Sequence, residues 1–172
     1  SDLYFLSTQP LPNIAPPVFG DISTLQETYS KGPYQFAGQS DLGNLLVTLQ
    51  MGDLNAVSDP IFTGLDSIPH GALDQAWNLH WNGATPLNAN THVSVAIEDL
   101  DGNRVFHAPD PCKNIELAPS ATSIEIPAGI LMSGQNYRVT LNFFTLTDQG
   151  ETQSIGIQQY AGVGKRTEIL IG

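Results

Sequence analysis

The chain has 172 residues, 41% of them hydrophobic and only 13% charged, with 16 Gly and 12 Pro; this favours short strands joined by many turns and is too apolar for wholesale disorder. Six Lys and Arg against 17 Asp and Glu give a formal charge of −11, which repels a phosphate backbone, and the cations are too scattered to hold anionic lipid. Cys112 is the lone cysteine, so an intrachain disulfide and a thiolate metal cluster are both excluded.

No apolar run approaches the roughly 20 residues of a membrane span. The start, Ser1-Asp2-Leu3, carries no secretory-signal pattern, as expected of an exported chain after processing. No Asn-x-Ser or Asn-x-Thr acceptor occurs, so nothing points to a eukaryotic secretory route. The expected location is extracellular or cell-surface, in a bacterium.

Residues 1–20 contain Pro10, Pro12, Pro16 and Pro17, which suits an extended edge strand or lead-in and rules out a helix interior. Residues 34–38 and 45–51 are β-prone, and Gly43-Asn44 reads as the turn of a hairpin between them. Leu42, Leu45, Leu46 and Leu49 also recur at helical spacing. Gly43 and Gly52 bracket too few residues for an amphipathic helix, so a strand is preferred. Near Asp59-Pro60 the texture changes, which divides the chain in two. Residues 1–58 are an N-terminal extension, β-rich or linker, packed on a sandwich formed by residues 59–172.

Within the second part, turn signals recur about every 8–12 residues, as in an all-β sandwich. Trp77, Leu79 and Trp81 alternate with Asn78 and His80, a strand with a heavy aromatic face. Val93, Val95 and Ile97 alternate in the next, and Asp101-Gly102-Asn103 supplies a tight hairpin before Arg104. Ser123–Ile126 is a short strand stopped by Pro127. Tyr137, Val139, Leu141 and Phe143 mark a long strand ending at a turn, Asp148-Gln149-Gly150. Final strands are expected at 154–159 and 167–171. Phe144 and Leu146 fall on the face opposite Phe143, so that face is either covered, with the N-terminal segment as candidate cover, or left as an apolar patch.

The segment Ile130-Leu131-Met132-Ser133-Gly134-Gln135-Asn136-Tyr137-Arg138-Val139 resembles the fibronectin type III pattern in which a Leu and a Gly precede a Tyr opening the sixth strand. The resemblance covers about residues 59–172 and implies an immunoglobulin-like, antiparallel β-sandwich. It gives Tyr137 the corner role, its hydroxyl bonded to the backbone, with a carbonyl expected as the partner. Trp77 or Trp81 takes the place of the second-strand tryptophan. Ser133 stands where Pro is common, and Val139 stands where an immunoglobulin variable domain has its second Cys. The chain also resembles the fibronectin-like modules of large exported proteins of environmental bacteria.

Asp99-Leu100-Asp101-Gly102-Asn103 looks like the start of a calcium loop, with Asp99, Asp101, Asn103 and Asp110 as candidate oxygens. The sixth position is Arg104 where Gly is needed and the twelfth is Asp110 where a bidentate Glu is needed, so a plain hairpin turn is the simpler reading. His70, His80, His92 and His107 lack metal-ligand spacing. No Gly-x-Ser-x-Gly elbow is present. Gly162-Val163-Gly164-Lys165 lacks the context of a phosphate loop and reads as a turn. These features predict no enzyme, no cofactor and no metal. The expected function is a structural or interaction module of an exported multidomain protein. The alternative is a glycan-binding module using exposed aromatics such as Tyr29, Tyr34, Trp81 or Tyr160, although Trp77 and Trp81 share a face with Leu79 as core residues would.

Overall fold

The computed structural model describes Glu27 and residues 30–40, 43–69, 73–152 and 157–172. The chain is all-β, and nine strands among these residues form three antiparallel sheets. In chain order they are β1 (Gly32–Ser40), β2 (Gly43–Met51), β3 (Phe62–Thr63), β4 (Trp77–Trp81), β5 (Thr91–Asp99), β6 (Arg104–Ala108), β7 (Ser123–Ile126), β8 (Tyr137–Thr152) and β9 (Ile157–Ile171). Two compact units result. One comprises residues 57–145 and 165–172, and the other comprises residues up to 56 together with 146–164.

The first unit is a β-sandwich. A three-stranded sheet, ordered β3-β4-β7, and a four-stranded sheet, ordered β6-β5-β8-β9, contribute to one core. The period-two patterns explain it, because alternate side chains of a strand leave on opposite faces. Trp77, Leu79 and Trp81 of β4 are buried while Asn78 and His80 are exposed. They meet Val93, Val95 and Ile97 of β5, Phe106 of β6, Ile126 of β7, and Val139, Leu141 and Phe143 of β8 in that core. Strands β5 and β6 are joined by the hairpin expected at 101–103. Gly102, at φ +86°, alone supplies the left-handed residue there, and its N–H donates to the Asp99 carbonyl at 3.1 Å. This is a type I turn closed by a glycine bulge.

Tyr137 is buried at the start of β8, and its hydroxyl accepts a hydrogen bond from the Met132 N–H at 2.9 Å. The partner is thus an amide and not the expected carbonyl. The chain turns before β8 with that N–H free of any ladder, and the phenol oxygen satisfies it while burying the ring.

The ends of the chain differ more from expectation. Asp148-Gln149-Gly150 is not a turn but part of β8, and Gly162-Val163-Gly164-Lys165 is not a turn but part of β9. Ala161 and Val163 are buried in alternation with those glycines, so burial on one face selects the strand over the local turn preference of Gly. The turn between β8 and β9 lies outside the described residues, as do residues 1–20. In the second unit β1 and β2 pair from Gly32↔Met51 to Ser40↔Gly43, so Gly43 and Asn44 open β2 and are not the turn. Residues 45–51 are a strand, as preferred: Val47 and Leu49 are buried with Ala161, and Leu46 beside Val47 is exposed.

That unit is tied by polar bonds between β2 and the distal part of β8. The Gln50 N–H donates to Asp148 Oδ2 at 2.8 Å, and Thr147 Oγ1 donates to the Gln50 carbonyl at 2.9 Å. A side chain on Gly52 would collide with the Thr147 methyl group. Gly52→Ala is therefore expected to destabilise this unit by about 1–3 kcal/mol through overpacking, read by hydrogen exchange at β2 amides. Tyr137→Phe leaves the Met132 amide without its acceptor and should cost the sandwich about 1 kcal/mol in chemical denaturation.

Candidate functional site

The acidic string at 99–103 organises itself and not a cation. Asp99 Oδ1 accepts from the N–H groups of Asp101 at 2.9 Å and Asn103 at 2.8 Å, and Asp99 Oδ2 accepts from Asn103 Nδ2 at 2.8 Å. Asp110 lies beyond the other end of β6. There its carboxylate caps the 3₁₀ turn Pro111–Lys113 by accepting from the Cys112 N–H at 3.1 Å, and it pairs with Lys113 at 3.7 Å. The strand between them keeps the four candidate oxygens from converging, and among the described residues no three His, Cys, Asp or Glu groups are placed to hold a metal ion.

The hydrogen bonds from the Asn103 side chain and backbone hold the Asp99 carboxyl below its ordinary value of 3.8, against a small opposing effect of burial. A carboxyl whose folded value is depressed stabilises the fold fully above the unfolded value, and loses that contribution as the pH falls through the folded one. Acidification below about pH 4 should therefore loosen the hairpin tip. The readout is the exchange of the Asp101 and Asn103 amides, with Asp99→Ala showing at neutral pH what the native chain shows in acid.

The tryptophans are core residues. Trp77 and Trp81 are buried on the inner face of β4, and Trp81 Nε1 donates to the Ala121 carbonyl at 2.8 Å. Trp81 therefore cannot offer a ring to a sugar. The Trp77 indole N–H is the buried side-chain donor left without a partner among the described residues, a cost of about 1–3 kcal/mol accepted for the ring's apolar area. Of the other aromatics considered, Tyr29 lies outside the described residues. Tyr34 is half-buried and its hydroxyl donates to the Ser30 carbonyl at 2.7 Å, whereas Tyr160 is exposed.

The histidines lie apart. His70 is outside the described residues, His80 projects from β4 away from the core, and His107 is half-buried on β6. His92 sits opposite Phe144 in the β5–β8 ladder, with ring centroids 6.0 Å apart at 43°. What meets the outer side of Phe144 is thus a neighbouring strand's imidazole. Cys112 is exposed.

One surface feature had no signal in the sequence. A groove of about 380 Å³ is lined by Leu65, Ile68, Ile169, Leu170, Ile171 and Gly172. The 3₁₀ turn Leu65–Ser67 forms one side, and the end of β9, an edge strand of the four-stranded sheet, forms the other. Leu170 is 70% and Leu65 41% exposed, so the groove presents apolar side chains to water. The residues are ordinary aliphatics, distinguished only by the chain brought opposite them.

No helix among the described residues is long and apolar enough to cross a membrane. No family model, curated protein or solved structure matches the chain.

Proposed function

We propose that the chain is a non-catalytic structural and protein-interaction module of an exported, bacterial multidomain protein, built on a fibronectin type III-like sandwich. The fold side of this reading is supported by the three-plus-four strand arrangement, by Tyr137 bonded to the backbone five residues upstream, and by the tryptophan-bearing strand β4 in the smaller sheet. Fold alone assigns no task. The observation that carries the interaction role is the apolar groove beside β9, whose exposed Leu170 and Leu65 are of the type that a partner's apolar side chains cover.

The test compares the native chain with Leu170→Glu, a change on an exposed side chain that leaves the core intact. Both are immobilised and exposed to the source organism's surface and secreted proteins, and run in affinity gels against soluble polysaccharides. A protein partner retained by the native chain and lost by Leu170→Glu is expected, with no retardation by polysaccharide. Retardation by a polysaccharide that Tyr160→Ala abolishes would favour the glycan-binding reading instead.

A further inference from the structure

Strand β3 pairs with β4 through only two residue pairs, Phe62↔Trp81 and Thr63↔His80, and Asn82 lengthens that ladder with its side chain. The Asn82 N–H donates to the Ile61 carbonyl at 3.0 Å, Asn82 Oδ1 accepts from the Ile61 N–H at 2.7 Å, and Asn82 Nδ2 donates to the Asp59 carbonyl at 2.9 Å. The amide orientation is fixed by its partners, an N–H on the oxygen side and a carbonyl on the nitrogen side. One side chain thus clasps the segment Asp59–Ile61 that leads into β3. The same Asp59 carries its carboxylate to Lys165 Nζ at 2.9 Å, which leaves its backbone carbonyl to Asn82.

The residue after Asn82 is Gly83, which is exposed. Without a side chain to obstruct it, a glycine amide nitrogen approaches the preceding carboxamide more readily than any other residue's. We propose that Asn82 is a spontaneous deamidation site, guarded by its own clasp, and that its conversion releases β3 from the sandwich edge. In the reaction the Gly83 backbone nitrogen bonds to Asn82 Cγ, the Cγ–Nδ2 bond breaks, and ammonia leaves carrying the proton lost by Gly83. Water then opens the cyclic imide at either carbonyl, its hydroxyl going to carbon and its hydrogen to the Gly83 nitrogen, to give aspartate or isoaspartate. No oxidant or reductant takes part.

Attack requires the carboxamide to leave Ile61 and Asp59, so the folded chain converts only while β3 is open. Once converted, an acceptor oxygen stands where Nδ2 donated to the Asp59 carbonyl, and two acceptors face each other. Isoaspartate goes further, since its extra backbone atom moves the Asn82 N–H out of register with the Ile61 carbonyl. The clasp cannot re-form.

Peptide mapping of the chain held at mildly alkaline pH, folded and in denaturant, tests the site and the guard together. Conversion at Asn82 in the folded chain should be at least about tenfold slower than in denaturant, as expected of a reaction gated by local opening. Gly83→Ala should suppress it while keeping the fold, because the added methyl would reach only ordinary contact with Thr122 Cγ2 at 3.9 Å. Asn82→Asp should lose exchange protection at the Ile61 amide and retain it at Val95 in the core. No conversion in the folded chain overturns the site, equal rates overturn the guard, and protection retained at Ile61 in Asn82→Asp overturns the release.

Discussion

From Tyr137 to Phe143 every second side chain of β8 is withdrawn from water, and the strand is paired with β5 over an unbroken register from Asp99↔Tyr137 to Thr91↔Thr145. Because the side-chain period of a strand is two, a slip of one residue would turn Val139, Leu141 and Phe143 outward together. Each such side chain is worth about 1.5–3 kcal/mol on burial, so the register of the central pair is fixed cooperatively. The rest of the sandwich is placed from it. Strand β5 carries β6 through the hairpin held by Asp99, β8 carries β9, and their shared inner face is the surface on which Trp77, Leu79 and Trp81 of β4 close. The Tyr137 bond to Met132 sets where this strand begins.

Charge plays a different part. Arg104 pairs with Glu98, Lys113 with Asp110, Lys165 with Asp59, and Arg138 and Arg166 both with Glu168. Exposed pairs of this kind contribute at most about 1 kcal/mol each. Their larger effect is on what the surface offers: the five cations of the sandwich are already matched to carboxylates, and the excess acid is left to face solvent. That arrangement favours solubility over attachment to any polyanion.

Much of this was legible in the residues, and the reasons for the rest are specific. Alternation identified β4, β5, β7 and the first part of β8, because in those strands one face is core and the other is solvent. The asparagine and glycine pairs misled where tertiary pairing overrode local preference. Asp148 reads as a turn former, yet its carboxylate accepts the Gln50 amide from a strand 98 residues away. Gly162 and Gly164 read as a loop, yet each stands beside a buried residue of β9. At the surface, the oxygen-rich string at 99–103 was visible, but whether its carboxylate faces a cation or its own backbone depends on the hairpin's geometry. The groove beside β9 joins residues about a hundred positions apart and left no pattern to find. Asn82-Gly83 was readable as a dipeptide, whereas the clasp that gives it meaning was not.

Strand β9 stands at the margin of its sheet, and a bare margin invites a second chain to add itself and continue the sheet indefinitely. Here Arg166 and Glu168 put opposite charges on successive outward positions, locked to each other at 3.7 Å. An incoming strand would have to strip both of water. Only the stretch from Ile169 to Ile171 escapes this protection, and three residues are too few to template a fibril. The margin is thereby limited to short, terminating associations, and polymer growth along the sheet is blocked at the point where it would otherwise start.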